Sequence, residues 1–367
     1  MNKKYIWVFL LALMMILSSC KKNEPIKVGF SAGLVGVLAD EGVSARNGFN
    51  LAVEEINNNG GINGRMIEAV VKDDESSVDV AKKVDQEFSD EGVNIIIGHL
   101  LSSTAPAIIE GMDKYGHIYI SPTMATSTLT DKDDNFFRVI GDTDLMASAI
   151  AETIEKTGKS ERIAIIYDYE NFQFTNYIRE KLLDNLTTTE VLLEIPFKKD
   201  SSYREVILKV KESGADGIVM INSSVAVANL IQQIAIADFD ITKYATTWAL
   251  STELIYKGGR ATEGLYGVGF YDKYSQDESY LKFLESYKGR FSEDPSHTSM
   301  FSYDAVYLLK KAIEESGKYD NESIRESLKN IGSFQGISDE LKITEFGDCL
   351  RPYVKIQIID GEMRKVQ

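Results

Sequence analysis

From Ile26 onward, short apolar runs alternate with helical stretches whose apolar residues fall on one face, and this alternation restricts the fold more than any other feature. Ile26–Phe30, Ile67–Lys72, Asn94–Gly98 and Ile118–Ser121 read as strands. Between them, Phe49, Ala52, Val53 and Ile56 repeat at the i, i+3, i+4, i+7 spacing of a helix packed on one side. Val80, Ala81, Val84 and Phe88 mark a second helix and Thr104–Tyr115 a third. The first helix stops at Asn57–Gly61, where Asn and Gly accept left-handed geometry. Strands that are apolar throughout and separated by helices predict a parallel sheet covered on both faces, and right-handed crossovers make each unit a doubly wound βαβ.

The pattern restarts after about Asp142. A helix through Met146, Ala149, Ile150 and Thr153 precedes strands at Arg162–Tyr167, Val191–Ile195, Gly217–Ile221, Thr242–Thr246 and Gly264–Gly269. Helices over Phe174–Asn185, Tyr203–Ser213 and Val225–Ala237 separate them. A second series with its own core predicts a second lobe. From Asp277 the helices Leu281–Phe291, Ser299–Glu315 and Asn321–Ile331 follow without intervening strands, which predicts outer cover for an existing sheet. Tyr353–Ile359 reads as a closing strand before a turn at Gly361. With only six prolines and no low-complexity stretch in 367 residues, the crossings between lobes are short, as a hinge requires. A chain of this length suits two domains and folds without staples.

The first residues read as an address. Lys3 and Lys4 precede an apolar run, Tyr5–Leu17, then Leu17-Ser18-Ser19-Cys20. The run falls short of the roughly 20 residues of a bilayer span and has the order of a secretory signal over residues 1–19. Its end resembles a bacterial lipobox, which implies cleavage before Cys20 and lipidation of its thiol. Removing residues 1–19 takes away two lysines and no acids, so the net charge moves from -16 to about -18. A chain so acidic is not drawn to nucleic acid. With Cys20 lipidated, Cys349 stands alone and no intramolecular disulfide is expected.

Catalytic signatures are missing. Neither a Gly-x-Ser-x-Gly elbow nor a Gly-x-x-x-x-Gly-Lys-Ser/Thr phosphate loop occurs. His99, His117 and His297 are not paired at zinc-ligand spacing. Ser279-Tyr-Leu-Lys282 matches Ser-x-x-Lys but falls on a surface helix. Gly29, Gly33 and Gly36 miss the dinucleotide fingerprint by one residue and read as a tight turn. Asp73-Asp74-Glu75 reads as a solvated strand-end turn. No enzyme activity, cofactor or metal is expected. Two hydroxyl-rich turns end neighbouring strands instead: Gly98–Pro106, with Ser102, Ser103 and Thr104, and Ser121–Thr128. Hydroxyls at a helix N-terminus favour an anion such as a carboxylate, and ligands of open α/β sheets gather at this strand edge.

At these residues the chain resembles the leucine/isoleucine/valine-binding family of type I periplasmic binding proteins. The likeness runs through Ile26-Lys-Val-Gly, Gly48-Phe-Asn-Leu-Ala-Val-Glu-Glu-Ile-Asn, Gly60-Gly-Ile-Asn-Gly64, Ile97-Gly-His-Leu, Ser121-Pro122, Glu263-Gly264-Leu265 and Tyr303-Asp304-Ala305. It implies an α/β fold of two doubly wound parallel-sheet lobes joined by three hinge strands, residues 26–142 plus 273–348 and 143–272 plus 349–367. It also implies an extracytoplasmic, lipid-anchored solute-binding protein, expected as a monomer, serving an ABC permease and ATPase, or alternatively a sensory receptor of the same fold. The ligand would be an amino acid, branched-chain or aromatic, or a small organic acid. Ser102 matches the family serine that binds the ligand carboxylate, and Thr123 and Ala125 match a turn around it. Thr126 is the nearest hydroxyl to the family threonine that Ala125 replaces. Phe172 falls where the family often has a tyrosine, Asn222 and Ser223 at another cleft-facing strand end, and Glu41 at an aromatic wall position. The family acid that pairs with a ligand ammonium falls near Thr247 or Trp248, and neither is acidic. Glu41 is the candidate for that charge, with Phe172 and Trp248 to stack on an apolar body.

Overall fold

The computed structural model describes residues 24–36, 38–141 and 143–366, so the leader and Cys20 lie outside the described residues. Five parallel strands form the first sheet: β1 (Ile26–Ala32), β2 (Ile67–Asp73), β3 (Ile95–Ile97), β4 (Ile118–Ser121) and β5 (Phe136–Arg138). Helices α1 (Ala39–Asn58), α2 (Val78–Asp90) and α3 (Ala105–Tyr115) connect the first four. The chain then leaves for a second sheet through α4 (Thr143–Thr157), β6 (Arg162–Asp168), α5 (Phe172–Asn185), β7 (Glu190–Phe197), α6 (Tyr203–Ser213) and β8 (Gly217–Ile221). It continues with α7 (Ser224–Ile236), β9 (Thr242–Ala245), α8 (Thr252–Gly258) and β10 (Tyr266–Gly269). Helices α9 (Glu278–Phe291), α10 (His297–Ser316) and α11 (Asn321–Asn330) return to the first lobe, where α10 packs along α1. A small sheet follows, β11 (Ser333–Gln335), β12 (Glu340–Ile343) and β13 (Cys349–Leu350). The last strands, β14 (Val354–Ile359) and β15 (Glu362–Lys365), add antiparallel to β10.

The strand orders explain where a ligand site can form. The first sheet runs β2-β1-β3-β4-β5 and the second β15-β14-β10-β9-β8-β6-β7. The parallel parts are the same arrangement twice, with the order reversing between β1 and β3 and again between β6 and β8. Loops on the two sides of such a reversal part company, and the crevice they leave lies at the carboxyl ends of the strands.

The two doubly wound sheets and three crossings agree with the sequence-based fold. Three details differ. β2 and β7 are edge strands, and each buries one side chain well, Ile67 and Phe197, so they are not apolar throughout. The helices after Asp277 do cover the first lobe, but the small sheet follows them; its strands have two to four residues, too few for a period-2 pattern to register. Because Cys349 and Leu350 pair with β12, the third crossing falls at residues 351–353 rather than at 349. Burial pushes the free Cys349 thiol up to about 12, so it packs as an inert apolar group.

The three crossings converge on one cluster. Tyr353 Oη donates to the Gly141 carbonyl at 3.2 Å. The Phe270 ring lies 5.0 Å from Tyr353 and 4.7 Å, edge-on, from Phe301. Arg351 is fully buried over the Phe301 ring, with its guanidinium 2.7 Å from Asp304 Oδ2 and 3.2 Å from Asp339 Oδ2. Arg138 ties β5 to Asp348, beside the third crossing, at 2.5 Å. Removing one partner of a buried pair strands the other charge. Asp304→Ala is therefore expected to destabilise the protein by about 3–5 kcal/mol, read as a lower urea midpoint; an unchanged midpoint would show that Asp339 alone suffices for Arg351.

Candidate ligand-binding cleft

A cavity lies where the carboxyl edges of the two sheets face each other. The first lobe lines it with Glu41 at the start of α1, Leu100, Leu101 and Ser102 after β3, Thr123 after β4 and Thr298 at the start of α10. The second lobe supplies Asn171 and Phe174 after β6 and Thr247 and Trp248 after β9. Ile140, Phe270 and His297 close the side next to the crossings. The cavity admits the centre of a water-sized sphere over about 40 Å³, a few times what one water requires.

Local backbone chemistry places the polar groups. Gly42 sits against the Gly33 carbonyl, so closely that a Cβ there would overlap it, and this brings the first turn of α1 onto the end of β1. Thr298 Oγ1 donates to the Glu41 carbonyl at 3.2 Å and fixes that turn from the other side. Ser102 begins a one-turn helix, Ser102–Thr104, that runs into α3. The two hydroxyl-rich turns are bound to each other. Ser121 Oγ donates to the His99 carbonyl at 2.6 Å and accepts from Met124 N–H at 3.1 Å, while Thr123 Oγ1 donates to the Leu100 carbonyl at 3.0 Å.

Beneath the first turn, His99 is buried between two carboxylates, with Nδ1 2.6 Å from Asp74 and Nε2 3.3 Å from Asp85. Burial opposes its charge, but Asp85 and Asp74 outweigh it and raise the imidazole to about 10. Asp74 is thus buried as the partner of His99, where the sequence reading placed it in a solvated turn.

Two hydrogen bonds cross the cleft. Trp248 Nε1–H donates to Glu41 Oε2 at 3.2 Å, and Ser103 N–H donates to Asn171 Oδ1 at 3.2 Å. Glu41 as a residue is half-buried, yet its Oε1 is sealed from water and has no partner. Burial, only partly offset by the indole donor and reinforced by Asp40 and Glu253, pushes this carboxyl up to about 8. His297 goes the other way: burial, then the charge of Arg351, push it down to about 4, so it is a neutral wall. No lysine or arginine is among the cavity-lining residues.

Of the candidate ligand residues read from the sequence, Glu41, Ser102, Thr123, Trp248 and its neighbour Thr247 line this cavity. The others do not. Thr126 is fully buried and caps a local turn, its Oγ1 accepting from Thr128 N–H at 3.2 Å. Ala125 packs in the hydrophobic core. Phe172 is 40% exposed and its ring leans, tilted, against Tyr169; two residues on, Phe174 meets the cavity and packs edge-on against Trp248 at 5.8 Å. Asn222 is fully buried, and its amide, oriented to satisfy both groups, donates to the Ile166 carbonyl and accepts from Asp168 N–H at 3.0 and 3.1 Å. Ser223 precedes α7 and lines a neighbouring chamber. Asn171, Phe174, Thr298, Ile140 and Phe270 were not anticipated as site residues. For Asn171 the signal was its place in the β6–α5 loop, at the second reversal of strand order.

The similarities to known proteins follow this geometry. A family model described as periplasmic binding protein matches residues 25–358. The chain is 24% identical over 330 residues to the leucine-, isoleucine-, valine-, threonine- and alanine-binding protein of Pseudomonas aeruginosa, covering 89% of this chain and 87% of that one. It is 26% identical over 329 residues to Leu/Ile/Val-binding protein homolog 1 of Brucella abortus, covering 89% and 88%. The branched-chain amino acid transporter substrate-binding protein LivJ from Streptococcus pneumoniae, solved with isoleucine, has a TM-score of 0.87 at 21% identity, covering 92% of this chain and 97% of that one. A solute-binding protein of an ABC transporter from R. palustris, solved with benzoate, has a TM-score of 0.83 at 18% identity, covering 93% and 95%. At these identities the solved structures speak for the fold, and the family model spans both lobes and all three crossings. The chain belongs to the periplasmic binding protein family.

Proposed function

We propose that this chain is the solute-binding component of an ABC transporter and that it holds an amino acid, of branched-chain or aromatic type, as a zwitterion between its lobes. The observation that carries this reading is the sealed Glu41 Oε1, a carboxyl oxygen without a partner in a cavity that has no cationic side chain. A ligand ammonium supplies the missing charge, since a buried ionised carboxylate without a partner is unfavourable by several kcal/mol. The carboxylate of the same ligand suits the Ser102 hydroxyl and the helical turn that leads into α3. Phe174, Trp248 and Phe270 offer aromatic surface for an apolar body. The amino-acid-binding names of the relatives in Pseudomonas and Brucella agree with this.

A second reading is a small organic acid without an amine. It is favoured by the Glu41 carboxyl at about 8, which is protonated at neutral pH and presents no like charge to a carboxylate. In either case the protein acts outside the cytoplasm, as a monomer anchored through a lipid on Cys20, and delivers ligand to a permease and its ATPase.

Calorimetric titration with amino acids and with their des-amino analogues, at several pH values, separates the two. An amino acid needs Glu41 ionised, so its affinity rises by up to about tenfold per pH unit below about pH 8 and levels off above it. A plain carboxylate needs Glu41 protonated, so its affinity falls as pH rises through about 8. Glu41→Gln abolishes either dependence. If no member of either class raises the thermal midpoint of the protein, the proposal fails. Ser102→Ala is expected to weaken binding by about 1.5–3 kcal/mol, the worth of a hydrogen bond to a charged group; an unaltered dissociation constant would remove the serine from the carboxylate site. Cys20→Ser is expected to move the protein from the membrane to the soluble fraction, and retention on membranes would exclude the lipid anchor.

A further inference from the structure

The amino edge of the first sheet carries a recess of its own, at the other end of the strands from the cleft. Glu24 and Lys27 at the start of β1, Arg65 and Glu68 around the start of β2, Asn94 before β3 and Tyr319 between α10 and α11 line it. It admits the centre of a water-sized sphere over about 480 Å³, against about 40 Å³ for the cavity in the cleft. Its charges balance, with two cations and two carboxylates. Lys27 Nζ donates to the Glu91 carbonyl at 2.8 Å. Arg65 lies 4.1 Å over the Tyr319 ring while its Nε donates to the Glu24 carbonyl at 2.6 Å. Neutral groups thus fix both cations, and among the described residues neither forms an ion pair with the Glu24 or Glu68 carboxylate.

The recess also lies where the lipid-bearing stem joins the lobe. The Arg65 bond to the Glu24 carbonyl, and that of Ile26 N–H to the Met66 carbonyl at 2.8 Å, fasten the chain to the lobe from Glu24 onward. Cys20 comes four residues earlier, and four residues span at most about 14 Å. A lipid on Cys20 therefore keeps the amino edge within that reach of the membrane surface. β1 runs from this edge to the cleft, and its seven residues set the two ends about 20 Å apart. A chain this acidic is repelled by an anionic lipid surface. A phosphoethanolamine headgroup is neutral overall and meets both signs of the recess, its phosphate at Lys27 and Arg65 and its ammonium at Glu24 and Glu68.

We infer that this recess seats a zwitterionic phospholipid headgroup, so that the first lobe stands on the membrane by its amino edge and the cleft opens away from the lipid. The inference rests on the reading of Cys20 as a lipid anchor. Exposed charge pairs of this kind are individually weak. The anchor compensates by holding the recess at a high effective concentration of headgroups. Seating fixes which way the cleft points, whereas the stem alone fixes only how far the edge strays from the membrane.

The test uses the full lipidated protein on vesicles of phosphatidylethanolamine and phosphatidylcholine that carry an energy-transfer acceptor on their headgroups. A fluorescent donor is attached through Lys318→Cys at the amino edge or through Val35→Cys, an exposed site just past the end of β1 at the cleft edge. The buried Cys349 thiol does not compete for the label. The Lys318 donor is expected to lose most of its emission and the Val35 donor to keep most of its own; equal transfer to both overturns the orientation. Glycerophosphoethanolamine in solution is expected to compete for the recess and raise transfer from the Val35 donor as the lobe tilts, while inorganic phosphate at the same concentration leaves it unchanged. Glu68→Lys, a change at an exposed position, is expected to raise that transfer without any competitor. An equal effect of phosphate makes the recess a plain anion site, and no effect of competitor or variant leaves it empty of headgroups; either overturns the headgroup assignment. Failure of the protein to associate with vesicles at all overturns the anchor, and the inference with it.

Discussion

A carboxyl oxygen buried without a partner is the constraint on which the cleft depends. Glu41 is held there by backbone fit: the Gly42–Gly33 approach on one side and Thr298 on the other leave the first turn of α1 little freedom to withdraw it. Its second oxygen receives the Trp248 indole from the other lobe, so the same carboxyl also sets the position of that aromatic wall. The neutral state of His297 follows from the same dry surroundings, since burial and Arg351 both disfavour a proton there. A histidine that carried charge would compete for Glu41; this one does not.

The hinge is built into the back of the site. Phe270 lines the cavity and also packs on Tyr353 and Phe301, beside the buried Arg351–Asp304 pair. Movement at any of the three crossings therefore reaches the ligand wall through one ring. The floor is stiffened in another way. His99 carries its proton between Asp74 and Asp85, and Ser121 ties the His99 carbonyl to the turn that holds Thr123. Because the folded value of His99 lies above the ordinary one, its contribution to stability is fully present below about pH 6.5 and is lost as pH rises through about 10.

The sheets were legible in the sequence because hydrophobic periodicity reports burial, and most strands and helices are buried on a regular face. β2 and β7 departed from the pattern because an edge strand has a neighbour on one side alone. In the site, polarity marked the right loops but not which lone pair the backbone already uses. Thr126 and Asn222 are polar residues in the expected turns, yet the adjacent chain consumes their hydrogen bonds. Phe172 was displaced by Phe174 because α5 turns through about 200° over two residues, which exchanges the exposed face for the buried one. Glu41 was legible as a departure from the family's aromatic wall, since an acid in an apolar position calls for a compensating charge.

The energetics give the ligand its part in closure. The two hydrogen bonds across the cleft, Trp248–Glu41 and Ser103–Asn171, contribute roughly 1 kcal/mol each once lost contacts with water are counted. Burying the Glu41 carboxyl opposes them, which is the main cause of its raised titration. Closure without ligand is therefore a balance of small terms of opposite sign. In the proposed zwitterion complex an ammonium at Oε1 would turn the opposing term into a favourable one, and a ligand shifts such an equilibrium only by the difference in its affinity for the two states. A ligand group that contacted Glu41 alone would bind one lobe; one that also touched Trp248 and Asn171 would bind both, and that difference would convert occupancy into closure.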